Sequence, residues 1–130
     1  MNNFTFSLRS EKNLQGVHPD LVKTVRLALT ISEVDFCVVE GVRTLERQVY
    51  LKNQGSSKTL NSRHLTGHAV DLAPLISNHI PWKEWRYFLL VARAMKEAAG
   101  IERIPIIWGG DWILFKDGVH FELPSNVYIR

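Results

Sequence analysis

Two histidines and one aspartate have the types and spacing of metal ligands. His64 and Asp71 lie in the segment 62–71, SRHLTGHAVD, and His120 lies in the segment 117–123, DGVHFEL. Two imidazoles and one carboxylate are a common protein contribution to a catalytic zinc site, where a fourth position stays open for water. Such an ion polarises a carbonyl group and lowers the pKa of water. The pattern therefore predicts a metal-dependent hydrolase.

The residues around Asp71 indicate which side chains share its face. The alternation of apolar and polar residues from 68 to 73 is typical of a short strand. Residues two apart on a strand point the same way, so Asp71 would share its face with the small Ala69 and Ala73, which leave room for an ion. His68 would point to the opposite face, so we do not expect it to bind the metal unless a bulge reverses the alternation.

Helical and strand patterns alternate along the chain and must position these ligands. Turn and capping residues separate them, with Pro19 in the first turn of a helix, Thr44 as a helix cap and glycines at 55 and 100 as helix ends. The predicted order is a helix from Pro19 through Leu29, a buried strand 35–42, a helix 45–54, a polar loop 56–63, a strand 68–73, a helix 82–99, and short strands within 104–108, 112–115 and 119–123. We therefore expect an α+β fold with a small, mainly antiparallel sheet and helices packed on it.

Length and composition favour one domain spanning residues 1–130. The chain is 45% hydrophobic and 10% aromatic, and it shows no repeat or linker that would separate a further module. The N-terminus lacks the basic start and apolar core of a secretory signal, so we expect synthesis in the cytoplasm. No apolar stretch is long enough for stable insertion across a membrane. The lone Cys37 excludes an internal disulfide, and its apolar neighbours predict a core thiol.

The charge balance is moderately basic. The formal net charge is +3 and the sequence pI is about 9.2, which favours anionic partners such as wall polymers, membrane surfaces or nucleic acid. The basic residues are scattered, however, and no aromatic residues are interleaved with them as a platform for stacking bases. We therefore do not expect nucleic-acid binding.

Three motifs together resemble those of a known group of zinc metallopeptidases. The segment 62–71 contains the complete pattern S-x-H-x-x-G-x-A-x-D, the segment 108–112 reads WGGDW, and the segment 117–123 contains D-x-x-H. The chain thereby resembles the lysostaphin, D-Ala-D-Ala peptidase and sonic hedgehog group, and most of all the L-alanyl-D-glutamate peptidases of phage endolysins and bacterial wall-lytic enzymes. The resemblance extends from about residue 13 to residue 123. It implies one zinc ion held by His64, Asp71 and His120.

The resemblance also implies two catalytic side chains. Asp117 matches the acidic residue that serves as general base. It lies three positions before His120, so its carboxylate can accept a proton from the attacking water and pass it to the leaving amine. Arg43 matches an arginine near the scissile carbonyl group. Its guanidinium can stabilise the oxyanion or bind a substrate carboxylate, and both roles stay open.

Three further polar residues have weaker expected roles. Glu122 would share a strand face with His120 and can support it or contact substrate. Ser62 can orient the loop that carries His64, or simply form a turn. Asp111 can lie near the cleft. The preceding glycines equally indicate that this segment is needed only for its backbone conformation.

The resemblance implies an endolysin that cuts the L-Ala–D-Glu amide of peptidoglycan stem peptides with zinc. Two alternatives are a D-Ala-D-Ala carboxypeptidase with the same centre and a zinc domain that binds the wall without cleaving it. A structural zinc site needs no general base, so Asp117 beside His120 argues against the second alternative. We expect a monomer without a separate wall-binding module that is made in the host cytoplasm and released by a holin-type factor.

Overall fold

A small antiparallel sheet with helices packed against it forms the body of the protein. The computed structural model describes residues 2–57, 59 and 61–129. Its helices are α1 (Leu8–Asn13), α2 (Pro19–Ile31), α3 (Leu45–Asn53) and α4 (Trp85–Glu102), and its strands are β1 (Asp35–Glu40), β2 (Ala69–Leu75), β3 (Ile107–Trp108) and β4 (His120–Glu122). All the strand pairings among these are antiparallel. The predicted α+β fold is confirmed.

The sheet order β1-β2-β4-β3 places three polar residues side by side. Asp71 on β2 pairs with His120 on β4, and on its other side it pairs with Glu40 at the end of β1. The register shifts between Val38 and Glu40, as at a β-bulge. Such a shift bends the strand and redirects its side chains. The candidate site therefore lies where β1 ends against the middle of the sheet.

The other face of the sheet contributes to the hydrophobic core. Phe36, Val38, Leu72 and Phe121 are at most 2% exposed, and they alternate along their strands with the residues that face the site. α2 packs against α4, and α4 packs against β2, so that one hydrophobic cluster joins helices and sheet. Burying each large apolar side chain contributes about 1.5–3 kcal/mol. The site is thus built on a rigid layer.

The short helix α1, which the sequence patterns did not predict, covers the edge of β1. Ser10 accepts a hydrogen bond from the backbone amide of Val38 (2.9 Å), and the Asn13 side-chain amide donates to the Val38 carbonyl (2.8 Å). An uncovered strand edge would present unpaired backbone groups to other chains. α1 therefore closes this side of the sheet with side chains instead of a further strand.

Helix α4 differs from its predicted bounds at both ends. It begins at Trp85 instead of Trp82, because the preceding residues form turns, and it continues through Gly100 to Glu102. Arg103 ends it by adopting a left-handed conformation (φ 57°), the role that the sequence had suggested for Gly100. No helix within the described ranges is both long and apolar enough to cross a membrane.

Two further strand predictions are wrong in part or in whole. β1 ends at Glu40 and does not reach Val42. The segment 112–115 forms no strand, and Phe115 has a positive φ of 54°, a conformation that breaks the regular alternation of side chains. By contrast, β3 and β4 lie within their predicted segments.

Cys37 is only half-buried, so its assignment as a core thiol is wrong. Its neighbours Phe36 and Val38 point into the core, and the strand alternation directs Cys37 to the opposite face. Burial still raises the pKa of the Cys37 thiol, with a further contribution from the charge of Asp35. The thiol is therefore poorly suited to act as a nucleophile.

Candidate metal centre and catalytic cleft

An open cleft of about 750 Å³ lies beside the sheet where β1, β2 and β4 meet the irregular segment 112–119. It is lined by all five residues that the sequence predicted for the site, which are Arg43, His64, Asp71, Asp117 and His120. The structure thus brings together residues that are up to 77 positions apart along the chain, from 43 to 120.

His64 is held by a short 3-10 helix, Arg63–Thr66. The Ser62 hydroxyl caps this helix by accepting a hydrogen bond from the His64 amide (3.1 Å), so Ser62 does orient the His64 loop. Gly67 ends the helix with a φ of 78°. Two residues of the predicted loop 56–63, at positions 58 and 60, lie outside the described residues.

The His64 ring is 2% exposed and has a fixed orientation. Its Nδ1 donates to the Gly41 carbonyl (2.8 Å), which leaves Nε2 3.1 Å from Oδ1 of Asp71. A neutral imidazole protonated on one nitrogen presents a lone pair on the other. His64 Nε2 is therefore the atom available to a metal ion.

His120 lies directly across the sheet from Asp71. Its Nδ1 is 3.4 Å from Oδ1 of Asp71, and its Nε2 donates to Oε1 of Glu122 (2.8 Å). The three candidate ligand atoms, one each from His64, Asp71 and His120, lie within 4.8 Å of one another. A hydrogen bond from the second ring nitrogen to a carboxylate or carbonyl is the usual support of a metal-binding histidine. Both imidazoles have such support.

The charges of this cluster shift its pKa values strongly. Burial raises the pKa of Asp71, but hydrogen bonds from His120 and His64 outweigh that effect and hold it well below its usual value. Burial lowers the pKa of His120, but hydrogen bonds to Asp71 and Glu122 raise it to about 9. Without a metal ion, a proton on His120 thus supplies positive charge between two carboxylates. A cation of higher charge suits the same position.

Asp117 lies in a turn that the backbone of Gly109 holds in place. The Asp117 amide donates to the Gly109 carbonyl (3.0 Å), and the His120 amide donates to the Asp117 carbonyl (3.2 Å). A β-carbon at Gly109 would collide with the Asp117 carbonyl oxygen, which explains the first glycine of the WGGDW motif. Burial, and then the charge of Asp71, raise the pKa of Asp117.

Arg43 is buried at the base of the cleft and is not a solvated cation. Its Nη2 donates to Oε1 of Glu40 (2.6 Å) and lies 3.8 Å from Oδ2 of Asp71, while its Nη1 donates to Oε1 of Gln48 (2.7 Å). Its Nε is buried and has no hydrogen-bond partner among the described residues. Arg43 thus faces the oxygen of Asp71 that the histidines do not contact.

Sequence reasoning missed Gln48, which is fully buried and connects Arg43 to the cleft wall. Its side-chain amide donates to the Ser57 hydroxyl (2.8 Å) and to the Thr59 carbonyl (2.5 Å). Hydrophobic periodicity, the usual signal for the buried face of a helix, misleads here. Helix α3 exposes Leu45, Val49 and Tyr50 and buries its glutamine. Only its place five residues after Arg43 offered a clue.

Asp111 and Trp112 have different positions relative to the cleft. Asp111 forms an ion pair with Lys96 (2.7 Å) in which both side chains are about half exposed, and it does not line the cleft. Trp112 does line the cleft, and its ring centre lies 5.2 Å from that of His120. A β-carbon at Gly110 would collide with the Trp108 ring, so the second glycine of the motif serves the backbone.

Comparisons with known proteins agree with this architecture. The family model described as phage L-alanyl-D-glutamate peptidase matches residues 2–123. The chain is 35% identical to the L-alanyl-D-glutamate peptidase of Escherichia phage T5, over 96% of this chain and 93% of that protein.

Two solved structures are similar to this one. The crystal structure of the Serratia marcescens L-Ala D-Glu endopeptidase ChiX is 47% identical and has a TM-score of 0.89, over 97% of this chain and 95% of that chain. The second is the D,D-dipeptidase VanXYg, solved in complex with a D-Ala-D-Ala phosphinate analog. It has a TM-score of 0.51 at 16% identity, over 82% of this chain and 50% of that chain, and this similarity shows a shared fold. From the matched motifs, the family model and the relative in phage T5, we conclude that the chain belongs to the phage L-alanyl-D-glutamate peptidase family.

Proposed function

We propose that this protein hydrolyses the amide bond between L-Ala and D-Glu in peptidoglycan stem peptides, with one zinc ion as cofactor. The observation that carries the proposal is the convergence of His64 Nε2, Asp71 Oδ1 and His120 Nδ1 in the cleft that Asp117 also lines. The bond is inferred from the phage T5 relative and from ChiX, whose names state it.

The donor set fits zinc. Two imidazole nitrogens and one carboxylate oxygen are ligands typical of catalytic zinc, and their supporting partners, Gly41 and Glu122, hold each imidazole in the form that binds. When bound, zinc supplies a Lewis acid and a water of lowered pKa. The carboxylate of Asp71 is ionised across the physiological range, because its pKa lies well below the usual value.

Asp117 is the proposed general base. Its pKa is raised toward neutral pH, and a general base whose pKa lies near the operating pH accepts and then releases a proton more readily. It would take the proton of the attacking water and transfer it to the nitrogen of the leaving D-Glu. Because Asp117 and His120 lie in one turn, the base and a ligand keep a constant separation.

Arg43 is the proposed partner of a substrate oxygen. Arg43 lines the cleft, and its Nη2 lies 3.8 Å from Oδ2 of Asp71, which places the guanidinium next to the proposed metal ligands, where a substrate oxygen would bind. The anchoring of Nη1 and Nη2 by Gln48 and Glu40 keeps the guanidinium from rotating. Either the carbonyl oxygen that becomes negative during attack or a carboxylate of the substrate is a suitable acceptor.

The remaining expectations stay predictions. They are one catalytic domain without a wall-binding module, synthesis in the host cytoplasm, release by a holin-type factor, and action as a monomer.

The test is mass analysis of the muropeptides released from purified peptidoglycan by the zinc-loaded protein. We expect stem peptides with a new N-terminal D-Glu, and far less of these products from the Asp117→Asn variant in the same time. Loss of the terminal D-Ala alone would replace the proposal with a D-Ala-D-Ala carboxypeptidase. Binding to the wall without any cleavage would indicate a non-catalytic zinc domain.

A further inference from the structure

Three consecutive apolar residues next to the cleft are exposed to solvent. Ile113 is 92% exposed, Leu114 72% and Phe115 70%. Exposed apolar residues that stand alone are ordinary, but a contiguous run next to a cleft usually marks a contact surface. The metal centre and its partners do not account for this run.

The backbone separates the three side chains into two groups. Leu114 and Phe115 line the cleft, whereas Ile113 does not. On a regular strand, Leu114 and Phe115 would point to opposite faces. Phe115 instead has a left-handed backbone (φ 54°), which breaks the alternation, and the side chains of both residues line the same cleft. This backbone conformation costs free energy in a phenylalanine, and such conformations occur most often at functional sites.

Charge is distributed unevenly across the cleft. Arg43 supplies a buried guanidinium on the side of Glu40 and Gln48. Leu114 and Phe115 supply only hydrocarbon. Lys116 follows them, but its ammonium donates to the Gly110 carbonyl (3.4 Å). The part of the cleft beside Arg43 and its partner Glu40 therefore suits polar and charged groups, and the part beside Leu114 and Phe115 suits an uncharged apolar group.

The proposed substrate has the same asymmetry. The residue before the scissile bond, L-Ala, brings a methyl group and no charge, whereas D-Glu after the bond brings a carboxylate. We propose that Leu114 and Phe115 are specificity-determining residues, which contact the methyl group of the L-Ala residue while the D-Glu residue lies toward Arg43. This inference rests on the proposed function and extends it to the choice of the residue before the cut.

The test compares two synthetic stem peptides that differ by that methyl group, one with L-Ala before D-Glu and one with Gly. A methyl group in an apolar contact is worth about 10-fold or more in kcat/KM, so we expect the zinc-loaded parental protein to prefer the L-Ala peptide by about that factor. Leu114→Ala and Phe115→Ala should each reduce the preference, and the double variant should bring it to about 2-fold. Ile113→Ala is the matched control and should keep the parental preference.

Thermal melting and zinc content of each variant show whether the fold and the metal centre are retained. A parental preference near one, a preference unchanged in the double variant, or an equal loss in Ile113→Ala would overturn the inference while the peptidase assignment stands. A zinc-loaded parental protein that cuts neither peptide would overturn the proposed function itself, and the inference with it.

Discussion

Glu122 accepts a hydrogen bond from Nε2 of His120 over 2.8 Å, and this contact leaves Nδ1 as the nitrogen of His120 that approaches Asp71. The two residues are two apart on β4 and share a face of the sheet, as the strand periodicity predicts. Glu122 therefore acts on the candidate metal centre through the ring of His120.

The first prediction follows from this contact. Glu122→Ala should leave zinc binding measurable but weaker by about 10–100-fold, because the imidazole loses the partner that fixes its orientation and its tautomer. Competition with a chelator of known affinity measures the change. Glu97→Ala removes an exposed glutamate outside the cleft and serves as the control. Equal zinc affinity in the two variants would contradict a supporting role for Glu122.

The second prediction concerns the ligands themselves. The purified protein should hold about one zinc ion per chain, and His64→Ala, Asp71→Ala or His120→Ala should lose both the metal and the activity. His79→Ala is the matched control, because His79 is exposed and lies outside the cleft. Elemental analysis after gel filtration gives the stoichiometry. Full zinc occupancy in the His120 variant would disprove the ligand assignment.

The third prediction separates the base from the ligands. Asp117→Asn keeps the size of the side chain but removes its basicity, so hydrolysis should fall by about 10²–10⁴-fold while zinc content stays at the parental level. Turnover of a defined stem peptide and metal content are measured on the same sample. If the variant cleaves at the parental rate, Asp117 does not transfer the proton.

The fourth prediction concerns Arg43. Arg43→Lys keeps the charge but cannot donate to Gln48 and Glu40 through a planar fork, so activity should fall although the metal is retained. Arg43→Ala should also destabilise the fold by about 1–3 kcal/mol, since it leaves buried acceptors without a donor. The activity of each variant should therefore be measured well below its melting temperature.

Steady-state kinetics of the Arg43→Lys variant distinguish its two possible roles. A fall mainly in kcat indicates stabilisation of the oxyanion, and a rise mainly in KM indicates binding of a substrate carboxylate. Unchanged constants would remove Arg43 from the site.

The fifth prediction is a dependence of zinc affinity on pH. In the metal-free protein the pKa of His120 is raised to about 9 from an ordinary value of 6.5, so at pH 7 zinc must displace a proton from this ring. Affinity should therefore rise by about tenfold per pH unit from His120 alone between pH 7 and 9. Titration calorimetry in buffers of different ionisation enthalpy counts the released protons. Zinc affinity that is independent of pH over this range would refute the coupling.

The same shift has a consequence for stability without metal. Because the folded-state pKa of His120 exceeds the ordinary value, its stabilisation is fully present below about pH 6.5 and is lost as the pH rises through about 9. Urea denaturation in a chelating buffer should show a lower free energy of unfolding at pH 9.5 than at pH 6.5.

Local patterns in the sequence were sufficient for several elements and for the identity of the candidate ligands. Thr44 caps α3 by accepting the Arg47 amide (3.0 Å), and Pro19 starts α2, because a cap or a fixed φ acts within one turn of a helix. Strand alternation correctly separated Asp71 from the core-facing Leu72. The motifs that carry His64, Asp71 and His120 lie within short segments and are visible without any knowledge of packing.

The tertiary structure alone decided how those residues meet. Alternation specifies the face of a strand but neither its partner nor its register, so only the folded sheet shows Asp71 opposite His120 and beside Glu40. The nitrogen that each imidazole presents depends on hydrogen-bond partners, such as Gly41 for His64, that are distant in the chain. Likewise, Gln48 is buried because its amide finds partners there, which hydrophobic periodicity does not register.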